Sequence, residues 1–321
     1  NSNKKTIMLY NPSRLKETVW LPVFWSQAKT YYEKHGQKAD EWYWYPCYAD
    51  VWAHDIDRVK QIILHAKPDV FGISLYVWNS HTAFTVAKWV KQTFPNCLIV
   101  SGGPQQDFKH DNTWFDRHPY IDCSLPGDNY GELCVKELLD NFSHDIDYEK
   151  ITDIRYPVST IDLAQPEKKQ RKLVVSKKKL VKKEFDYNWC SYYTQKEYIL
   201  DYVNYIENHI PNYQLSAIVE STRGCPYGCT YCDWGGGINS RVIKKEPSEI
   251  YADLDFLTDI ASLRYLYFAD ANFGIFGDRD VDLVKFVAKC KKDKERVFKV
   301  GYGGFAKTAN RLPYILQIMQ C

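Results

Sequence analysis

The run Glu220-Ser221-Thr222-Arg223-Gly224-Cys225-Pro226-Tyr227-Gly228-Cys229-Thr230-Tyr231-Cys232 sets three cysteines in a CxxxCxxC spacing, with an aromatic residue just before the last one. Three thiolates on one short loop can ligate three irons of a cubane [4Fe-4S] cluster and leave the fourth iron without a protein ligand. The competing reading is a structural zinc knot, with the upstream His209 as a fourth ligand. Zinc knots of that kind use a pair of CxxC knuckles, and no second pair follows here. Immediately upstream, Leu215-Ser216-Ala217-Ile218-Val219 reads as a short buried strand that delivers the chain into the cysteine loop.

At these residues the sequence resembles the radical S-adenosylmethionine (SAM) superfamily. The resemblance implies a [4Fe-4S] cluster on Cys225, Cys229 and Cys232, SAM bound through its amino and carboxylate groups to the open iron, and reductive cleavage to a 5'-deoxyadenosyl radical. It also implies a partial (β/α) barrel, with ligands gathered at the C-terminal strand ends and Tyr231 among the SAM contacts. Beyond the loop, Glu246-Pro247-Ser248-Glu249 is a helix start signal, and residues 247–259 read as a helix. Residues 263–268 read as the second barrel strand, which runs into Ala269-Asp270-Ala271-Asn272-Phe273-Gly274. In the resembled family this exit grips the SAM amino group, so Asp270 and Asn272, with their acceptor oxygens, are the candidates; the alternative is an Asx turn that closes the strand. A helix at 281–291, a strand at 297–302 and a helix at 308–319 complete three βα units. The family's barrel has about six, and a sheet stopped at the third keeps an unpaired edge. The expectation is therefore a barrel truncated after about three βα units.

The first 140 residues alternate strand and helix. Strand patterns lie at 6–10, 41–45, 70–76, 97–101 and 121–124, with helical patterns at 23–35, 54–66, 80–93 and 131–141. This alternation predicts an α/β, doubly wound parallel sheet of five strands, flavodoxin- or Rossmann-like, whose ligand binds beyond the carboxyl ends of the strands. Those ends carry Ser74 and Tyr76, the turn Ser101-Gly102-Gly103-Pro104, and Gly127-Asp128-Asn129-Tyr130-Gly131-Glu132. Here the sequence resembles the cobalamin-binding domain that precedes the barrel in one radical SAM subfamily. The resemblance implies that Ser74, Gly102 and Gly103 line the slot for the nucleotide tail, where residues without bulk let the backbone approach. It implies that Gly127 and Glu132 belong to the loop closing the same face, with Tyr76 beside it. The DxHxxG loop that gives cobalt a His is absent: Asp50 and His54 are followed by no Gly at the required place. His54 reads as the first turn of a helix, and Trp78 and Asn79 are the candidates to cover the lower cobalt face.

Between these parts the pattern breaks down. The division predicted is 1–145 as the cobalamin-binding domain, 146–212 as a linker with a Lys-rich hairpin and a helix, and 213–321 as the first half of a radical SAM barrel. The basic run around Leu173-Val174-Val175 reads as a solvated hairpin and not as a nucleic-acid site, since the net charge is only +2. A hydrophobic content of 45% suffices for ordinary cores, and no apolar run reaches the length of a membrane span. Seven of the ten cysteines are scattered without a framework, which reads as reduced thiols and a cytoplasmic location. The 16% aromatic content is packing material first, though it also suits a domain that covers a large flat macrocycle.

The function these readings imply is that of a cobalamin-dependent radical SAM enzyme, a methyltransferase acting on an unactivated carbon. The mechanism the resemblance implies uses one SAM to methylate the reduced cobalamin and a second as radical source, with a reductant such as flavodoxin or ferredoxin expected to supply electrons. The alternatives are a radical SAM rearrangement or cyclisation that keeps cobalamin without methyl transfer, and an iron-sulfur protein of electron transfer or sensing. The substrate is not legible in the sequence.

Overall fold

The second helix shows how local sequence sets the elements. Its apolar residues Val59, Ile63 and Ala66 recur at helical spacing and are buried, so one face packs on a sheet. Asp55 caps its start by accepting from the Arg58 N–H at 3.1 Å, and Lys67 ends it in the left-handed conformation. The strand that follows, Val-Phe-Gly-Ile-Ser, is buried along nearly its whole length, as an inner parallel strand must be.

The computed structural model describes residues 4–13, 18–106, 113–126, 130–161, 169–181, 186–187, 191–230, 232, 242–306 and 312–319. Among these, the strands in chain order are β1 (Lys5–Tyr10), β2 (Thr18–Trp20), β3 (Trp42–Tyr45), β4 (Val70–Ser74), β5 (Leu98–Gly102), β6 (Cys123–Ser124), β7 (Arg155–Ile161), β8 (Lys169–Val175), β9 (Gln214–Val219), β10 (Thr222–Arg223), β11 (Ile243–Lys244), β12 (Leu263–Phe268) and β13 (Lys299–Tyr302). The helices are α1 (Val23–His35), α2 (Ile56–Ala66), α3 (Ser80–Thr93), α4 (Trp114–Arg117), α5 (Gly131–Asp140), α6 (Ser191–Thr194), α7 (Lys196–His209), α8 (Pro247–Asp259), α9 (Asp278–Asp293) and α10 (Leu312–Met319). No helix among the described residues is long and apolar enough to cross a membrane.

The chain divides into two units, 1–16 with 31–185, and 17–30 with 186–321. In the first, the sheet order is β3-β1-β4-β5-β6-β7-β8. The five expected strands are all there and pair in parallel, and α2, α3 and α5 each bury an apolar stripe. The hairpin β7-β8 continues the same sheet in antiparallel sense through the Ser124–Arg155 pair. Residues 155–175 are thus part of this unit and not a linker, which corrects the predicted boundary at 145. The reason is physical: β6 is two residues long, and an open edge there invites the hairpin to cover it. Arg171 anchors the hairpin, its backbone N–H donating to Asp116 at 2.7 Å and its guanidinium to the carbonyls of Phe115 and Ile121.

The second unit holds a parallel sheet in the order β13-β12-β9-β2. The βα units predicted from 213 onward are present: β9, α8, β12, α9, β13 and α10 follow one another as expected. The fourth strand was not expected. β2 comes from the N-terminal region and pairs with β9 through Thr18–Gln214, Val19–Leu215 and Trp20–Ser216. Membership of this unit therefore begins at residue 17 and not at 213, a second correction to the domain division. One face of the sheet, with Leu215, Ala217, Val219, Leu266 and Phe268, is buried together with Leu254, Leu257, Val284 and Val287 of α8 and α9.

Candidate functional site

In the second unit the site lies at the C-terminal ends of β9, β12 and β13. β9 runs directly into Glu220, Ser221 and the short strand β10, and from there into the cysteine loop. Cys225 is buried, Cys229 and Cys232 are half-buried, and the Cys232 N–H closes a turn on the Cys229 carbonyl at 3.1 Å. The thiols share one loop, and none of the described cysteines is in a disulfide. Among the described residues, however, no three Cys, His, Asp or Glu side chains are gathered in a metal-holding group, these three cysteines included. The donor set itself, three soft thiolates in CxxxCxxC spacing, suits iron in a cluster.

The exit of β12 behaves otherwise than expected. Asp270 is completely buried and its carboxylate is committed to the protein. Oδ2 accepts from the Ser221 N–H at 3.1 Å, and Oδ1 from the hydroxyls of Ser221 (2.6 Å) and Thr222 (2.5 Å). Burial pushes its pKa up to about 6, against the pull of those hydrogen bonds. Asp270 is therefore a brace that holds the entry of the cysteine loop, its carboxylate accepting from Ser221 and Thr222. Arg279, in the first turn of α9, adds to the brace by donating to the carbonyls of Ser221 and Lys245, both at 2.9 Å. Asp280 shapes the loop between, accepting from the N–H groups of Gly274 (2.8 Å) and Phe276 (3.1 Å).

Asn272 is different. It is 5% exposed, and its Nδ2 is buried with no hydrogen-bond partner among the described residues. A buried amide donor left unmade costs about 1–3 kcal/mol, so such a group marks a place where a ligand acceptor is wanted. Glu220, which sequence reasoning passed over, sits one residue beyond β9. Its Oε2 accepts from Gln27 Nε2 at 2.6 Å and from Arg223 Nη2 at 2.7 Å and Nε at 3.1 Å. Burial works to raise its pKa, yet the Arg223 charge and these hydrogen bonds hold the carboxyl below the usual glutamate value. Its position inside the quoted run, at a strand exit, was the available signal. Tyr231 lies outside the described residues.

In the first unit, Ser74 and Gly102 are register partners at the ends of β4 and β5. A Cβ at Gly102 would meet nothing nearer than Leu125 at 3.9 Å, so the backbone there can be approached. Gly103 serves the fold instead. Its φ is +99°, and a Cβ would lie 2.5 Å from the Leu75 carbonyl oxygen. The space a side chain would take at 103 is filled by the Leu75 backbone, so the fold itself requires glycine there.

Tyr76 and Trp78 stack at 4.6 Å with an 11° tilt, and Trp78 and Val77 are 52% and 75% exposed. Val77 and Trp78 are thus large apolar side chains exposed at the carboxyl end of a parallel sheet. Asn79, proposed beside Trp78 as a cover, is instead buried in a clasp. It accepts from the Tyr76 N–H at 2.8 Å and donates to Asn11 Oδ1 at 2.9 Å, which ties the β4–α3 turn to the exit of β1. Glu132, expected in the loop that closes this face, is buried in the first turn of α5. His54 is exposed and precedes α2, against the ring of Trp52. Gly127 lies outside the described residues.

The chain thus joins a doubly wound α/β unit to an α/β unit with a three-cysteine loop at the exit of β9. No family model matches the chain. It is 29% identical over 247 residues to the cobalamin-dependent radical SAM methyltransferase TokK of Streptomyces tokunonensis, which covers 76% of this chain and 33% of that protein. Of solved structures, the cobalamin-dependent S-adenosylmethionine radical enzyme OxsB superposes with a TM-score of 0.65 at 16% identity, over 92% of this chain and 38% of that one. The radical S-adenosylmethionine methyltransferase TsrM of Kitasatospora setae superposes with a TM-score of 0.64 at 11% identity, over 92% of this chain and 54% of that one. The chain is thus similar in sequence to proteins named cobalamin-dependent radical SAM methyltransferases and in fold to OxsB and TsrM. It spans about a third of the length of these curated relatives.

Proposed function

We propose that this chain is the cobalamin- and SAM-binding portion of a radical SAM methyltransferase that acts on an unactivated carbon. The observation that carries the reading is the CxxxCxxC loop at the exit of β9, preceded in the same chain by a doubly wound sheet whose β4 and β5 ends leave Gly102 open and Val77 and Trp78 uncovered. The relatives named methyltransferases support it. Cys225, Cys229 and Cys232 would hold the cluster, Asn272 would donate to SAM, and Ser74, Gly102, Tyr76 and Trp78 would border the cobalamin. When bound, these cofactors supply an organic radical and a methyl group.

The protein's share is placement. Asp270, Arg279 and the Ser221 and Thr222 hydroxyls fix the base of the cysteine loop, because a displacement of about 1 Å can cost on the order of a hundredfold in rate. The electrons would come from a reduced flavodoxin or ferredoxin. The test uses anaerobic reconstitution with iron, sulfide and cobalamin. Each single Cys→Ala variant should lose the cluster, read by iron analysis and electron paramagnetic resonance. Gly102→Val should stay folded and bind cobalamin at least about tenfold more weakly, while Gly103→Ala should lower the melting temperature, since a side chain there is strained at positive φ. Zinc in place of a reducible cluster, or full cobalamin affinity in Gly102→Val, overturns the reading.

A further inference from the structure

The seven-stranded sheet of the first unit ends in β3 on one side and β8 on the other. A strand at the end of a sheet presents backbone N–H and C=O groups that its single neighbour leaves unpaired, and such edges are ordinarily guarded by charged side chains or proline. β8 is guarded in this way. It carries Lys169, Arg171 and Lys172, and the Arg171 N–H is already taken by Asp116 of α4 at 2.7 Å. β3 is not. Its four residues are Trp42-Tyr43-Trp44-Tyr45, with neither charge nor proline among them. Among the described residues its sole strand partner is β1, in register from Lys5–Trp42 to Met8–Tyr45.

Alternation sorts the four rings onto two faces. Trp42 and Trp44 are buried, where Trp42 meets Phe142 at 5.1 Å and Trp44 meets Tyr32 at 6.1 Å. Tyr43 and Tyr45 take the other face, on which the rings of Tyr43, Tyr45 and His65 of α2 follow one another at 6.2 and 6.4 Å. Tyr43 is 41% exposed, and Leu64, beside His65 in α2, is 45% exposed. The edge thus has an apolar flank that the folded chain leaves partly open to solvent.

Charge decides what fits it. The charges at the strand entry, Lys5 and Glu41, neutralise each other at 3.0 Å. A second copy of the strand can therefore approach antiparallel without like charges meeting, and it sets Trp and Tyr against Tyr and Trp, the cross-strand aromatic pairs that stabilise sheets. The same approach at β8 would set lysine against lysine. Two-fold pairing along β3 closes on itself and leaves only the guarded β8 edges at the ends of the joined sheet.

We propose that β3 is a dimerisation edge: two copies of this chain join antiparallel along it, with Tyr43 and Leu64 buried in the interface. The inference goes beyond the functional reading and depends on neither cofactor.

The test is the oligomeric state of the 321-residue chain, measured by sedimentation equilibrium. The parent should be a dimer at a concentration of about 10 μM. Tyr43→Lys gives β3 the guard that β8 carries, and should raise the dimer dissociation constant at least about a hundredfold. Its circular dichroism should be that of the parent. In the parent, the β3 amides should exchange with solvent more slowly at high protein concentration than at low, a reading that serves if Tyr43→Lys does not fold. A monomeric parent overturns the proposal, whatever other partner the edge then takes. So does a dimer that Tyr43→Lys leaves unweakened, or β3 exchange that is indifferent to concentration.

Discussion

Asp270 and Glu220 leave neighbouring strands one step apart and carry the same acidic group, yet the fold gives them opposite environments. Asp270 is fully buried among hydroxyls and a backbone N–H, and burial lifts it to about 6. Glu220 stands beside Arg223 and is held ionised. The difference lies in which side of the strand exit each residue takes, something that residue type alone does not encode. His118 shows the same dependence in the first unit. Its ring stacks on Phe84 at 4.1 Å and meets Trp114 at 4.8 Å, and burial, helped by the Arg117 charge, lowers its pKa from 6.5 to about 4. Between those values the unfolded chain binds a proton that the folded chain refuses, so the stability this residue gives is intact above about pH 6.5 and is lost as the pH falls toward 4. Thermal melts from pH 7 to 4.5 should show a loss that is smaller in His118→Phe; an identical slope in both would exclude the residue as its source.

At the scale of elements, β2 is the piece with the largest consequence for its size. Three residues pair with β9, the strand that carries the cysteine loop, and Val19 is buried at 1% exposure. The helix that follows brings Gln27 to Glu220 and stacks Trp25 on Tyr198 of α7 at 3.7 Å. Val19→Asp would place an unpaired charge in that interior, a change that costs several kcal/mol. We expect hydrogen exchange of the β9 amides to accelerate sharply in this variant, with the β4 and β5 amides unaffected. Protected β9 amides would show that the strand pairs without its neighbour.

For the whole molecule, the two units interleave in sequence, since residues 17–30 belong with 186–321 and residues 1–16 with 31–185. A cut at a sequence-derived boundary therefore removes structural parts. A fragment of residues 213–321 lacks β2, α6 and α7, leaving one edge of β9 and the buried Asp253 without its partners at Ser191, Tyr192 and Tyr193. It should be aggregated or unfolded by circular dichroism and gel filtration, whereas the full chain should show native α/β signals. A monomeric, cooperatively melting fragment would refute the interleaved division.

The sequence by itself determined the elements and their class. Strand and helix periods, the helix start at Glu246-Pro247, and the cysteine spacing are local patterns, and the helices at 23–35, 80–93 and 247–259 fall where those patterns put them. The likeness to radical SAM enzymes was legible for the same reason, because a three-cysteine loop is a contiguous chemical signature. What only the tertiary structure decided is non-local. β2 is too short to show a period, and its role comes from pairing with a strand almost two hundred residues away. The hairpin β7-β8 joins the sheet because a two-residue edge strand needs cover. The roles of Asp270, Gly103 and Asn79 were decided by what lies across from each: the Ser221 and Thr222 donors, the Leu75 carbonyl, and Asn11. A side chain's partner is set by how strands from distant parts of the chain are brought side by side, and a local pattern carries no record of it.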